Sequence, residues 1–315
     1  MRRWGSYRSI VQDTPSYRFI FKHATEAFSF FQLGVRPDAR QPANLPHQHG
    51  YSYAHIVGPV CILNLDLRFE RSLTSVFSEH SLDGVFQYLD ALRERNELLA
   101  SGKRDPMGAG GVPLQHLIVV SSICVMYGDF SSLEAAMETV PEVLNLDPME
   151  LEDDLKDHWR SPCHRAERLV ILHKLFSFAA AAKCRVTIVS GDVHLAALGV
   201  LENTAPEYSN SNARSIVQVI TSPVMNTPTH GSSLKLTETV CGGVEKLDEH
   251  VVGKMVRMPG KSSKVVSARN YVEMKMEHES NAISVRFILE NDPMQPSVDI
   301  APYSETEPLE FVIDK

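Results

Sequence analysis

The sequence predicts an α/β protein in which a sheet is covered by helices, and three observations carry that reading. Short apolar runs bounded by turn residues alternate with longer stretches whose apolar residues recur at helical spacing. Their order is strand, helix, strand, helix, strand, the signature of a sheet layered with helices. Finally, 43% hydrophobic and 22% charged residues over 315 positions suffice for a substantial buried core.

The elements follow in chain order. Residues 16–33 are rich in aromatics and read as a helix packed on something large. Residues 34–58 read as loop, with Pro37, Pro42 and Pro46 and the histidines His47, His49 and His55. The run 59–67 is apolar, opens at Gly58 and Pro59, and reads as a buried strand. In 81–100, Leu82, Val85, Leu89 and Leu92 recur at i, i+3, i+7 and i+10, a helical stripe. The connector 101–113 carries glycines at 108–111 that follow no strand and lack the Lys-Ser/Thr of a P-loop, so it is a linker. A second strand is expected at 116–123. A helix at 165–183 presents Leu169, Leu172, Phe176 and Ala180, and a third strand follows at 185–190. A fourth is expected at 215–222. The runs 270–278 and 282–290, joined by Glu279, Ser280 and Asn281, read as a hairpin. The organisation is one domain over 1–290 and an acidic, Pro-containing, loose tail over 291–315.

Charge and composition exclude several roles. A net charge of −8 leaves no excess of Lys and Arg for general nucleic-acid binding. No run of eighteen apolar residues offers a membrane span. The basic opening residues are followed by no apolar stretch, so they do not read as a secretory leader. Cys61, Cys124, Cys163, Cys184 and Cys241 are scattered and never spaced as CxxC. They read as reduced thiols of a cytoplasmic protein.

Three segments could carry chemistry. At the end of the 185–190 strand stands Ser190-Gly191-Asp192-Val193-His194. Open α/β sheets place ligands at the carboxyl ends of their strands. On extended backbone, residues two apart point the same way, so Asp192 and His194 can converge on one ion. A carboxylate with an imidazole suits Zn, Fe or Mn, although a catalytic ion takes about three protein ligands. The second segment, 153–168, gathers Asp157, His158, Trp159, His164, Glu167 and three arginines. As an active-site loop, it would use Arg165 or Arg168 to clamp a phosphate and His164 to donate a proton. As a solvated loop, it would merely place acids near a helix start. The third pairs Asp66 with Arg68 on one face at the end of the first strand, suggesting a structural ion pair. His47 and His49 lack a nearby acid, and no G-x-S-x-G elbow supplies a serine nucleophile.

Taken in order, these stretches resemble the PhoD-like metallophosphatases of the binuclear metallophosphoesterase superfamily. The matching stretches are FQLG near 31, LNLDLRFERS at 63–72 and QHLIVVSSICVMY at 115–127. The most specific are DDLKDHWRSPCHRAER at 153–168 and RVTIVSGDVHLAALG at 185–199. QVITSPVMNTP at 218–228 and ARNYVEM at 268–274 continue the match.

The resemblance implies the C-terminal half of a four-layer α/β/β/α sandwich with a mixed sheet. It also implies a phosphatase or phosphodiesterase using metal-activated hydroxide, with two ions among Fe, Zn, Mn and Ca. By carry-over, Asp192 and His194 would be metal ligands, and His164, Asp157 and Arg168 would be catalytic. Asp66, Arg68, His158, Trp159, Glu167 and Asn226 would line the pocket or support it. The family's acidic motif preceding its Gly-Ser-Tyr stretch has no counterpart before Gly5-Ser6-Tyr7. Ser121-Ser122-Ile123-Cys124 replaces a Gly- and Pro-containing stretch. Half a sandwich would expose an apolar sheet face, so a partner chain or an N-terminal segment is expected to cover it. The alternative is a non-catalytic interaction or regulatory protein that retains the fold.

Overall fold

The computed structural model describes residues 14–36, 45–46, 50–71, 75–108, 111–127, 159, 164–192, 194–229 and 231–305. Its principal sheet has nine strands among the described residues. They are β1 (Tyr53–Val57), β2 (Val60–Leu65), β3 (His116–Ser121), β4 (Arg185–Gly191), β5 (Ala196–Asn203), β6 (Ser215–Thr221), β7 (Val244–Lys246), β8 (Val251–Val256) and β9 (Val265–Val266). The spatial order is β1-β2-β3-β4-β6-β5-β8-β7, with β9 on β5. β2, β3, β4 and β6 run parallel, while β1, β5, β7, β8 and β9 pair antiparallel. The carboxyl ends of four neighbouring strands therefore share one edge.

Two helices cover one face. Helix α1 (Pro15–Phe31) stands apart from them. Helix α2 (Glu79–Ala100) starts where the Ser78 side chain accepts the Ser81 amide at 3.2 Å, an N-cap worth about 1 kcal/mol. It buries Val85, Leu89 and Leu92. Helix α3 (Arg165–Ala182) buries Ile171, Leu172, Leu175, Phe176 and Ala179, and ends where Lys183 turns left-handed at φ 51°. These side chains form one core with Leu63, Leu117, Val119 and Ile188 of the sheet. Each large apolar side chain buried there stabilises the fold by about 1.5–3 kcal/mol. Buried Asn96 closes the layer's polar accounts. It donates to the carbonyls of Leu114 and Ala182 at 3.1 Å each and accepts the Leu114 amide at 2.9 Å.

The opposite face carries a second, antiparallel sheet of three strands, β10 (Asn270–Met276), β11 (Ile283–Leu289) and β12 (Ser297–Ile300). Its Ile283, Val285, Phe287, Leu289 and Ile300 pack on Ala196, Leu198, Val200, Val217 and Val219. Its outer face is polar, with Arg286 bound to Glu273 at 2.5 Å in the exposed register pair. The described residues thus form three layers, helices on a mixed sheet on a small sheet. Of the expected four-layer sandwich they give the α/β character and the large mixed sheet.

Several elements depart from expectation. Residues 53–57, read as loop, form edge strand β1. The tail from 291 contains β12, whose Ile300 is fully buried. Strands β5, β7, β8 and β9 and helix α4 (Gly231–Val240) were not anticipated. Among the described residues, no helix is long and apolar enough to cross a membrane.

Candidate functional site

Strand β4 ends at Gly191, and the chain is caught at once. The Asp192 amide donates to the Thr221 carbonyl at the end of β6, at 2.8 Å. Its Oδ1 accepts the amides of His194 and Leu195 at 2.9 and 2.8 Å, a turn that returns the chain into β5. Asp192 is therefore both turn former and surface carboxylate at the carboxyl edge. His194 is oriented by its neighbour strand's loop, its Nδ1 lying 2.8 Å from the Thr227 carbonyl. A carbonyl only accepts, so Nδ1 carries the proton. In the neutral imidazole this leaves Nε2 as an acceptor for an ion or a proton. Asn226 approaches the same ring, with Nδ2 3.5 Å from Nδ1. Asp192, His194 and Asn226 are thus brought together, all half-buried, by the loops after β4 and β6.

The loop after β3 completes the cluster from beneath. Tyr127 is buried and donates its hydroxyl to Asp192. Burial first, and the adjacent carboxylate next, hold that hydroxyl well above its ordinary pKa. It is a permanent donor at neutral pH. The loop is fixed by Gln218 of β6, which accepts the Met126 amide at 2.7 Å and donates to the Met126 carbonyl at 2.6 Å. The Cys124 thiol donates to the Gly191 carbonyl at 3.2 Å. Burial pushes the Cys124 thiol up to about 12, so it is no nucleophile. Sequence reasoning singled out neither Tyr127 nor Gln218. The usable signal was a glutamine in the middle of an apolar strand, since a buried amide side chain needs a structural partner.

The residues of the 153–168 segment divide. Asp157 and His158 lie outside the described residues. Trp159 is fully buried, its ring 6.4 Å from that of Phe77. His164 is buried immediately before α3, where its carbonyl accepts the Arg168 amide. Arg168 is fully buried, binding Glu245 of β7 at 2.5 and 3.3 Å and the Val125 carbonyl at 3.1 Å. It ties α3 to the sheet edge and to the Tyr127 loop, so the guanidinium read as a phosphate clamp is engaged by Glu245 and Val125. Arg165 likewise reaches the carbonyls of Lys246 and Leu247. Glu167 accepts the amides of Val76 and Phe77, at 2.7 Å each, anchoring the entry to α2. Burial raises its pKa above the ordinary carboxylate range, against those two bonds.

At the end of β2, Asp66 is a backbone organiser. Its oxygens accept the amides of Tyr51, Arg68 and Phe69 at 2.9–3.0 Å. Its tie to Arg68 runs through the Arg68 amide. Gly50 is required beside it, because a Cβ there would stand 2.8 Å from Oδ2. His47 and His49 lie outside the described residues.

Asp192 and His194 present one oxygen set and one nitrogen to the edge, a donor pair chemically suited to one ion. Among the described residues, no three His, Cys, Asp or Glu side chains gather as a metal-binding group. The described chain therefore supplies a partial donor set, not a centre for two ions.

In open α/β sheets ligands bind at the carboxyl ends of the strands, which is where this polar loop cluster lies. The family comparison assigns the segment that builds this edge. Residues 135–242 match the PhoD related phosphatase family, a stretch holding His164, Arg168, Asp192, His194 and Asn226. Over this stretch the chain is similar to PhoD related phosphatases. The uncharacterized protein YGR266W of Saccharomyces cerevisiae is 27% identical over 279 residues, taking in 76% of this chain and 39% of the relative. The chain spans about two fifths of the length of that relative. No solved structure matches the chain.

Proposed function

We propose that this chain is part of a metal-dependent phosphoester hydrolase acting at the carboxyl edge of β4 and β6, with Asp192 and His194 as ion ligands. The observation that carries the reading is the meeting of Asp192, His194 and Asn226 inside the PhoD-related segment. An ion there would neutralise phosphoryl charge and acidify a bound water. The chain's own residues do the positioning. Thr227 fixes the imidazole tautomer, Tyr127 and two amides hold the carboxylate, and Asn226 sets its amide beside the imidazole. Further ligands would come from residues outside the described set or from another chain.

A partner layer is part of this reading. Val57 is 64% exposed and Ile62 half-buried on β1 and β2, while Val60 and Val120 already pack against the core beneath the small sheet. A second reading, a non-catalytic protein on a phosphatase-like fold, is favoured by the partial donor set.

The test is hydrolysis of a nitrophenyl phosphodiester with added Mn, Zn or Fe. Asp192→Ala and His194→Ala are each expected to reduce turnover at least a hundredfold, with about one ligand's loss of bound metal. Wild-type turnover in either variant would sink the ligand assignment. An intact protein that neither hydrolyses nor retains metal would favour the second reading.

A further inference from the structure

The loop after β6, residues 222–229, brings Asn226 and the Thr227 carbonyl to the His194 ring. Its tip faces solvent, with Val224 and Met225 55% and 86% exposed. Its two roots are held by the segment that leads into β10. Asn270 opens that strand within the 268–274 stretch of the sequence match, and it is buried. Its Oδ1 accepts the Thr221 hydroxyl at 2.7 Å and the Ser222 amide at 3.1 Å. Its Nδ2 donates to the Ala268 carbonyl at 2.8 Å and to the Ser222 hydroxyl. A backbone amide only donates and a carbonyl only accepts, so these partners fix which way the side chain is turned. At the far root, the Ser267 hydroxyl donates to the Thr229 carbonyl at 2.6 Å.

Both candidate ligands depend on the backbone that Asn270 holds. The Thr221 carbonyl accepts the Asp192 amide at 2.8 Å, so the end of β6 sets where the Asp192 turn begins. The same loop then delivers the Thr227 carbonyl to His194 Nδ1, also at 2.8 Å. Asn270 accepts twice and donates twice, the full capacity of a side-chain amide. Docking of the small sheet already has its apolar contacts, with Val285 and Phe287 fully buried between the sheets. The polar ties go instead to the roots of the loop that orients the imidazole.

We propose that Asn270 is a positioning residue for Asp192 and His194. It holds the end of β6 and, with Ser267, keeps the Thr227 carbonyl against Nδ1. A ligating imidazole is aimed by the hydrogen bond that its other nitrogen makes. With the loop released, the ring proton can sit on either nitrogen and Nε2 loses its fixed role as acceptor. That this serves an ion rests on the hydrolase reading above, whereas the orientation of the ring does not.

The experiment is long-range proton–nitrogen NMR correlation of the His194 ring in the full chain at about pH 8, with the signal assigned from its loss in His194→Ala. Affinity for Mn²⁺ is measured beside it by calorimetry. Wild type is expected to show the Nδ1–H form alone. Asn270→Ala should show both tautomers and bind Mn²⁺ about tenfold more weakly. Ser267→Ala, at a half-buried position, should shift the tautomers in the same direction, and it decides the question if Asn270→Ala does not fold. A purely structural residue would lower Tm and leave the ring of the folded protein in its wild-type tautomer, and that result overturns the proposal. A wild-type ring that is not Nδ1–H overturns it too. Mixed tautomers in the variants, with no Mn²⁺ held by wild type, would uphold the orienting role and remove the hydrolase reading.

Discussion

At the scale of single residues, burial decides which charged groups can do chemistry. Asp192 and His194 are half-buried at an open edge, whereas Arg168 has no exposed surface and spends its guanidinium on Glu245 and Val125. Breaking a buried ion pair from one side strands the other charge, at a cost of about 3–5 kcal/mol. Arg168→Ala is therefore expected to lower the unfolding free energy by an amount in that range, read as a lower urea midpoint, and to leave KM for a nitrophenyl phosphodiester near wild type in the folded fraction. A raised KM with an unchanged urea midpoint would restore the clamp role. The contrast also explains what the sequence could reveal of the site. Asp-x-His after an apolar strand was legible because strand and turn chemistry are local. Arg168 and Glu167 sit in the same polar segment, but their partners lie 43 and 77 residues away for Arg168 and about 90 for Glu167. No local pattern encodes such contacts.

Among the elements, those with a strong period were legible and those shaped by tertiary contact were not. The Leu82 to Leu92 stripe and the apolar runs of β2, β3, β4 and β6 lie where periodicity put them. β5 and β8 escaped because small residues dilute their strand character. Gly253 of β8 is small for a packing reason, since a Cβ there would stand 2.6 Å from Met126 Sδ. β1 and β12 escaped because prolines and polar residues near them read as loop, although pairing with β2 and β11 recruits them. One element carries a pH signature. At the end of α2, Arg95 binds Asp105 at 2.7–3.0 Å, with Arg95 fully buried. The Arg95 bonds hold the Asp105 carboxyl down at about 2, against its ordinary 3.8. A depressed folded-state pKa contributes stability that is present above 3.8 and lost as pH falls through 2. Wild type should thus exceed Asp105→Asn in Tm at neutral pH, and the gap should close between about pH 4 and pH 2. A gap that stays constant across that window would remove the ion pair as its cause.

For the molecule as a whole, the question is whether helices, large sheet and small sheet unfold as one body. Strands β5 and β6 argue that they do. Ala197 and Leu201 of β5 point into the helical core, while Ala196, Leu198 and Val200 point into the core beneath the small sheet. In β6, Ile216 and Ile220 serve the first core, and Val217 and Val219 the second. Neither core can be lost without stripping one face of the same central strands. The two apolar clusters are therefore coupled through shared backbone, which is the condition for a cooperative transition. Phe287, fully buried at the centre of the second cluster, tests this. Phe287→Ala should cost about 3–5 kcal/mol through lost transfer energy and a residual cavity. If the coupling holds, that loss appears as a single urea transition moved to lower denaturant, with tryptophan fluorescence and far-ultraviolet circular dichroism coincident. Separated transitions in the variant would mean that the small sheet folds as its own unit. The carboxyl edge that carries Asp192 would then depend on the helical layer alone.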